Sequence, residues 1–482
     1  MPARFPIHLF EEHSSTLPVW WQRRGRPRTA VYLDAHLDLQ RTADESLRAL
    51  QRCRTLDQVQ ALEAPHHLNP ASRFAYGIEN FLYPASRLGL IDRLVWVAPP
   101  HIPRAYSPSL LGYVEQMDGI SFEELTGFVA VGERAIRGRL LGLDITICGF
   151  EELDRVGVGP EYLLDVDCDY FIEVPGDRPW IDPQAVIPRM LDRLGSPLLA
   201  TVSRAVSSGF TPLHFRFLGD YVAALLDDDR QAIAHYGKLF EASRRLTAGR
   251  AEAAAVLCRQ ALAARPTCAA SHNLLHLCVD DPGESAMLSR QAEELDEGYA
   301  FDLSRDACGF MHRRRRVTLR QVQALYDALG RVPGGSERLA PAEVAVGQLC
   351  AGAGRSADAL RLLDKQGGDF ADHGDLALQI ANCLRSGDAL GRVAQLLERA
   401  RRCEKTCTSS TLYLGDLALS AGDARRAVQY YQAVCDRAPA WGLPLERLRR
   451  CADMLGDRDR SKRIAAELGR RHRVLSSLPG MV

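Results

Sequence analysis

No apolar run in this chain reaches the roughly 18 residues that a membrane-spanning helix requires, so no transmembrane segment is expected. A secretory pattern is also missing, because Glu11 and Glu12 follow closely on the short apolar stretch Ile7 to Phe10. The expectation is a cytoplasmic protein with no membrane partner. Net charge is nearly absent: 60 Lys and Arg stand against 61 Asp and Glu, which leaves no overall field to recruit nucleic acid. Nor do the 13 cysteines offer a disulfide frame, since their number is odd and most fall in helical-looking segments, as reduced thiols packed in a core would. Cys403 and Cys407 lie four apart but have no companion Cys or His pair at zinc-site spacing.

What remains is an ordinary globular composition, 46% hydrophobic and 25% charged, in a chain of 482 residues. Single cores stop growing near roughly 250 to 300 residues, so two or more domains are expected. Up to about residue 230, strand-like apolar runs (Ile7 to Phe10, Ala30 to Leu33, Leu94 to Ala98, Leu143 to Cys148, Tyr162 to Leu164, Leu198 to Val202) alternate with candidate helices near 71 to 90, 183 to 195 and 213 to 228. That alternation predicts an α/β domain over 1–232, with a mostly parallel sheet in three layers. From about 235 onward Ala, Leu and Arg recur at helical spacing, which predicts an all-α domain over 233–482.

Glycines mark a repeat in that second half. Gly249, Gly283, Gly354, Gly387, Gly422 and Gly456 are 34, 71, 33, 35 and 34 residues apart, and Pro266 and Pro439 each follow a marker by 17. The period predicts helix-turn-helix units with the glycine in the turn. The clearest unit, Leu412-Tyr413-Leu414-Gly415-Asp416-Leu417-Ala418 with Gly422, Ala427, Tyr430-Tyr431, Ala433 and Pro439, resembles the tetratricopeptide repeat.

Two acidic runs carry the chemistry. Asp34-Ala35-His36-Leu37-Asp38 follows the strand Ala30 to Leu33 and Asp165-Val166-Asp167-Cys168-Asp169 follows Tyr162 to Leu164, beyond the carboxyl ends where ligands collect in open α/β sheets. Residues at i, i+2 and i+4 of an extended segment share a side, so Asp34, His36 and Asp38 converge, as do Asp165 and Asp167. Carboxylates crowded at a sheet rim repel one another unless a divalent cation joins them, so a two-metal site is expected.

Asp-Ala-His-Leu-Asp and Leu-Asp-Val-Asp resemble the metal motifs of the arginase/deacetylase superfamily. With Glu12-His13, Tyr76 to Ala85, Val95-Trp96-Val97, Asp165 to Phe171 and Ser208-Gly209-Phe210-Thr211-Pro212, residues 5 to 215 are similar to an arginase-like family that contains the peptide arginases, which turn arginine residues of ribosomal peptides into ornithine and urea. The resemblance implies an arginase-like fold and a first ion held by His13, Asp34, Asp38 and Asp165. It implies a second held by Asp34, His36, Asp165 and Asp167, with Asp34 and Asp165 bridging. Such a hard ligand set suits two Mn²⁺, with Fe²⁺ or Co²⁺ able to take similar ligands.

Arginases complete the site with a histidine proton shuttle and a glutamate that grips the guanidinium. His66 and His67, in a loop ahead of a helix, stand where the shuttle is expected. The late segment Ala205 to Thr211 contains no acid, so Glu79 and Asn80 are the candidates to hold substrate, with Ser208 beside them; pairing with backbone or a metal ligand is the alternative for both. Asp169 is expected behind the ligands, and Cys168 in packing. The repeats suggest a docking platform for a peptide or precursor peptide, or a self-association surface, and the run His312-Arg313-Arg314-Arg315-Arg316 could meet an acidic leader. The amidohydrolase or deacylase reading keeps the metals and draws on the missing late acid; a repeat scaffold without activity is the third.

Overall fold

The computed structural model describes residues 5–69, 73–101, 114–173, 176–312, 317–332, 339–365, 374–384 and 390–477. The strands are β1 (Ile7–Phe10), β2 (Arg28–Leu33), β3 (Ile91–Val97), β4 (Val129–Gly132), β5 (Ala135–Leu140), β6 (Leu143–Cys148), β7 (Tyr162–Asp167), β8 (Ile172–Glu173), β9 (Arg178–Pro179) and β10 (Leu199–Ser203). Eight of them form one sheet in the order β1-β10-β7-β2-β3-β6-β5-β4. Neighbours from β1 to β6 pair parallel, and β5 and β4 add an antiparallel edge hairpin.

Parallel strands covered on both faces need apolar residues at every position, and the side-chain alternation sorts them into two cores. Ala30, Tyr32, Leu94, Trp96, Ile145 and Leu163 face one; Val31, Leu33, Val95, Val97, Leu164 and Val202 face the other. From β2 the chain runs outward to β3 and β6, then returns to β7 on the other side of β2 and continues to β10. The strand order therefore reverses at β2 and β7, the place where an open α/β sheet leaves a crevice beyond its carboxyl ends.

Every described element after Ser203 is helical. Helices Arg230–Thr247 and Ala251–Ala264, Leu339–Gly352 and Ser356–Lys365, Glu404–Ser420 and Ala424–Arg437, and Gly442–Met454 and Arg458–Ser477 pack in consecutive pairs. Between the members of each pair, Gly249, Gly354, Gly422 and Gly456 adopt positive φ of 75°, 78°, 80° and 71°, the left-handed turn that glycine enters without strain. Gly283 departs from the pattern: it is the second residue of helix Pro282–Leu295, whose start is set by Asp281 capping the Glu284 amide. Gly387 lies outside the described residues. The sequence pattern breaks at 232/233, whereas the apolar cluster behind the sheet continues through Leu239, Phe240, Leu274 and Leu288 to Tyr299. A separate cluster then runs from Leu303 to Leu414.

The sequence missed the β4 and β5 hairpin, and the helix expected near 71 to 90 is helical, among the described residues, only over Leu82–Arg87. Asn80 Oδ1 accepts the Gly77 amide at 2.9 Å and the Glu79 carbonyl accepts the Gln40 amide at 3.1 Å, so this stretch spends its hydrogen bonds on turns rather than on a helical ladder.

Candidate metal centre

Strand register places the cluster. Leu33 pairs with Val166 and Ser203 with Asp167, so Asp34, one residue past β2, comes level with Asp167 at the rim. His13 arrives from the 3-10 turn after β1, which is pinned where Ser14 and Ser15 both donate to Glu63 Oε1, at 2.8 and 2.7 Å. The Asp34 carbonyl accepts the Trp96 indole at 2.9 Å, and its Oδ1 accepts the His36 amide at 2.6 Å. The segment Asp34 to Asp38 thus converges through a turn, not as the extended run expected from sequence.

His13 Nδ1 lies 3.1 Å from Asp34 Oδ2, 3.2 Å from Asp38 Oδ2 and 3.1 Å from Asp167 Oδ2. One ring nitrogen cannot hydrogen-bond to three carboxylates from different segments, and both His13 Nδ1 and Asp34 Oδ2 are buried without a hydrogen-bond partner. The grouping is one that a shared cation would join. Two sets of ligand atoms are close enough to hold an ion: His13, Asp34 and Asp167, and Asp34, His36 and Asp169. Asp34 belongs to both. His36 Nδ1 is 2.8 Å from Asp169 Oδ2 and 3.7 Å from Asp34 Oδ1, with its side chain 44% exposed.

The electrostatics agree. Burial, then the repulsion of Asp169, raises the Asp167 carboxyl to about 7. Burial likewise holds Asp34 well above the carboxylate range, with Asp169 and Asp38 adding to it. Burial disfavours a charged His13, but Asp165 and Asp167 outweigh it and the ring titrates well above its ordinary value. The same contest with Asp169 lifts His36 to about 10. Burial and mutual repulsion thus oppose ionisation of Asp34 and Asp167, an opposition that divalent charge would relieve.

Two residues sit differently from the expectation. Asp165 is not at the rim. It pairs with Tyr32 one pleat lower, roughly 7 Å along the strand. There Asp165 Oδ2 faces His13 Nε2 at 3.0 Å and Oδ1 accepts Thr16 and Thr201 hydroxyls at 3.2 and 2.6 Å. It orients the back of the His13 ring while Nδ1 faces the cluster. Asp169, expected behind the ligands, is among them, because the chain leaves β7 in a 3-10 turn at Cys168 that brings its carboxylate to His36. Cys168 is fully buried in the core, as expected.

A cavity of about 200 Å³ opens over the cluster, lined by Glu12, His36, Asp38, Glu79, Asp169 and Phe210 among others. Glu12 is the residue that sequence reasoning passed over. It is 7% exposed; Ser208 Oγ donates to its Oε2 at 2.6 Å while its Oε1 lacks a well-aligned hydrogen bond. Burial pushes its carboxyl up to about 8, against the hydrogen bonds of Ser208 and Ser207. An acid thus stands over the cluster from the turn after β1, and its position one residue before His13 was the available signal.

Glu79 lines the cavity but is paired. Lys405, from helix Glu404–Ser420, stands 2.7 Å from Glu79 Oε1 and 3.2 Å from Asp375 Oδ2. Asn80 closes its own turn, as above, and Ser208 reaches the pocket only through Glu12. His66 and His67 are not among the residues lining the cavity over the cluster. His66 is buried and His67 half-buried, their rings are stacked with centroids 4.5 Å apart, and desolvation lowers His66 to about 4 and His67 well below the usual value. Of the basic run, His312 ends helix Leu303–His312, and Arg313 to Arg316 lie outside the described residues. All 13 cysteines are unpaired, and among the described residues no helix is long and apolar enough to cross a membrane.

No protein-family profile matches the chain and no curated protein matches it. Among solved structures, one titled "Functional Characterization of Pseudomonas Aeruginosa pilF" is similar at 17% identity over 50% of this chain and 92% of that chain; its TM-score is 0.22, from which neither fold nor function follows.

Proposed function

We propose that this chain is a binuclear metal-dependent hydrolase that converts arginine residues of a peptide to ornithine and urea. The observation that carries the proposal is the pair of ligand groups sharing Asp34 beneath a pocket walled by the buried, half-bonded Glu12. The resemblance of Asp34 to Asp38 and Asp165 to Asp169 to arginase motifs supplies the reaction class.

His13, Asp34, Asp38 and Asp167 would hold one ion, and Asp34, His36 and Asp169 the other. This oxygen-rich set favours Mn²⁺, with Fe²⁺ and Co²⁺ as close alternatives. Bound ions supply Lewis-acid charge and lower the pKa of water toward neutrality. Water adds to the guanidinium carbon and the bond from that carbon to the side-chain nitrogen breaks. The water oxygen leaves in urea, and both water protons end on the departing amine. Glu12 Oε1 is the group to accept a guanidinium N–H, and the substrate's positive charge favours the ionised carboxylate that burial opposes. Ser208 holds the other oxygen and so fixes the carboxylate plane. Phe210 and Ile78 help to exclude water from the pocket.

A peptide substrate is supported by a second cavity, of about 290 Å³, which shares Leu37, Gln40, Ile78 and Glu79 with the first and is walled across by Asp375, Lys405 and Thr408 of the helical domain. The tetratricopeptide-like units would then present one side of a peptide cleft. The deacylase reading loses its main support once Glu12 provides an acid.

The test is incubation of Mn²⁺-reconstituted full chain with arginine-containing peptides, following urea and the mass loss of CH₂N₂. Glu12→Gln should lower kcat/KM by about 10- to 100-fold, the worth of one charge-assisted hydrogen bond. Silence with every peptide, alongside turnover of agmatine or acyl-lysine, rejects the proposal.

A further inference from the structure

We propose that His66, His67 and Cys308 form a separate metal site of the imidazole and thiolate type, suited to Zn²⁺, that clasps helix Leu303–His312 to the first domain. One ligand atom from each of the three lies within 4.8 Å of the others. Tetrahedral zinc at about 2.0 to 2.3 Å from its ligands needs them roughly 3.3 to 3.8 Å apart, a distance small rotamer shifts supply. His66 and Cys308 are buried; the His66 ring also bonds to the Ser207 backbone, while His67 Nδ1 is enclosed without a hydrogen-bond partner. An unbonded imidazole nitrogen beside a thiol and a second imidazole is a poor way to fill a core and a good way to bind a cation. The Leu68 amide meets His66 Nδ1 at 3.0 Å and would have to turn aside for His66 to bind as a neutral ring; His67 Nδ1 carries no such contact.

His312 lies next to this group but outside it, and its ring would have to move to take the fourth position. It lies four residues after Cys308, so both project from one face of the helix a turn apart. Its ring centroid is 5.7 Å from that of His67, and its Nε2 is 3.2 Å from the Ser208 carbonyl, the kind of outer hydrogen bond that orients a metal-bound imidazole. The helix is already packed on the first domain: Leu68 shares a buried cluster with Leu303, Ala307 and Cys308, and a Cβ on Gly209 would lie 2.7 Å from the Gly309 nitrogen and 2.9 Å from Cys308 Cβ. The ligands thus come from the loop Glu63 to Asn69 and from the helical domain, and a bound ion would fix the two together. The donor set differs from that of the carboxylate centre, so the two sites would select different metals.

Cobalt substitution of the full chain reads this site without reference to hydrolysis. A thiolate-to-cobalt charge-transfer band saturating at one ion per chain is expected. It should persist in Asp34→Ala, which disables the carboxylate centre, and vanish in Cys308→Ser and His67→Gln. A band that survives Cys308→Ser overturns the proposal. So does zinc-loaded wild-type protein whose X-ray absorption shows only nitrogen and oxygen neighbours, a measurement that stands even where the variants fail to fold.

Discussion

Replacing the aspartates one at a time separates the two registers in which Asp165 to Asp169 can meet a metal. In the structure Asp34 is shared by both ligand groups, Asp169 belongs to one, and Asp165 lies behind His13 with its oxygens committed to His13 Nε2, Thr16 and Thr201. Asp34→Ala should therefore abolish binding of both ions, and Asp169→Ala should leave one. Asp165→Asn acts only through the orientation and basicity of His13. Loss of such a partner weakens a metal site by about 10- to 100-fold, or roughly 1.4 to 2.7 kcal/mol, without removing a ligand. Elemental analysis after dialysis, together with calorimetric Mn²⁺ titration, measures both quantities. Asp165→Asn should still bind two ions per chain at saturating metal. The reasoning fails if Asp165→Asn binds at most one while Asp169→Ala keeps both, since that is the outcome when Asp165 and Asp167 are the ligands.

Gly209→Ala should lower stability by about 2 to 4 kcal/mol in chemical denaturation, combining left-handed strain at φ 79° with a Cβ driven into the backbone at Gly309; an unchanged midpoint would mean that the loop does not pack on that helix. Lys405→Met leaves Glu79 and Asp375, each 29% exposed, without their common cation. A cost of about 1 to 3 kcal/mol is expected, below the value for a fully buried pair because solvent screens both acids, and faster proteolysis between the domains should accompany it. His235 is held at about 4 by burial, from an ordinary 6.5, so between those values the unfolded chain binds the extra proton and acid favours unfolding. Stability should fall by up to about 3 kcal/mol as pH drops from 6.5 to 4, and His235→Gln should flatten that part of the profile; a parallel profile in the variant counts against the assignment.

The strands were legible because a parallel sheet buried on both faces writes itself as continuous apolar runs. Leu143–Cys148 is apolar at four of its six positions, Asp144 and Thr146 excepted, and its limits match the expectation. The β4 and β5 hairpin was not legible for the opposite reason: an edge ribbon with Arg137, Gly138 and Arg139 inside it carries no such run. The carboxylate pair-of-runs survived folding, but its register did not follow from spacing. Asp165, Asp167 and Asp169 alternate identically in sequence, and what separates them is the pairing of β7 with β2, which sets Asp167 against the rim and Asp165 a pleat below. Glu79 illustrates another limit. A lone acid in an apolar stretch signals that a partner exists without saying which, and Lys405 is more than three hundred residues away.

The loop from Ala205 to Thr211 explains why the two domains belong to one chain. Ser208 donates its hydroxyl to Glu12 in the pocket and accepts from His312 at its carbonyl, so one residue fixes a group in each domain. The Phe210 ring next to it lies 5.0 Å from His36, 5.7 Å from His67 and 4.1 Å from His312, with Gly209 pressed on the helix between them. Ala205 and Gly209 both hold positive φ there; glycine enters it freely, whereas Ala205 persists in it only where surrounding contacts over-determine it. The Gly209 turn is pressed on helix Leu303–His312. Displacing that helix would release Phe210 from the pocket and free the Ser208 carbonyl, so the wall opposite the carboxylate cluster depends on the helical domain being docked.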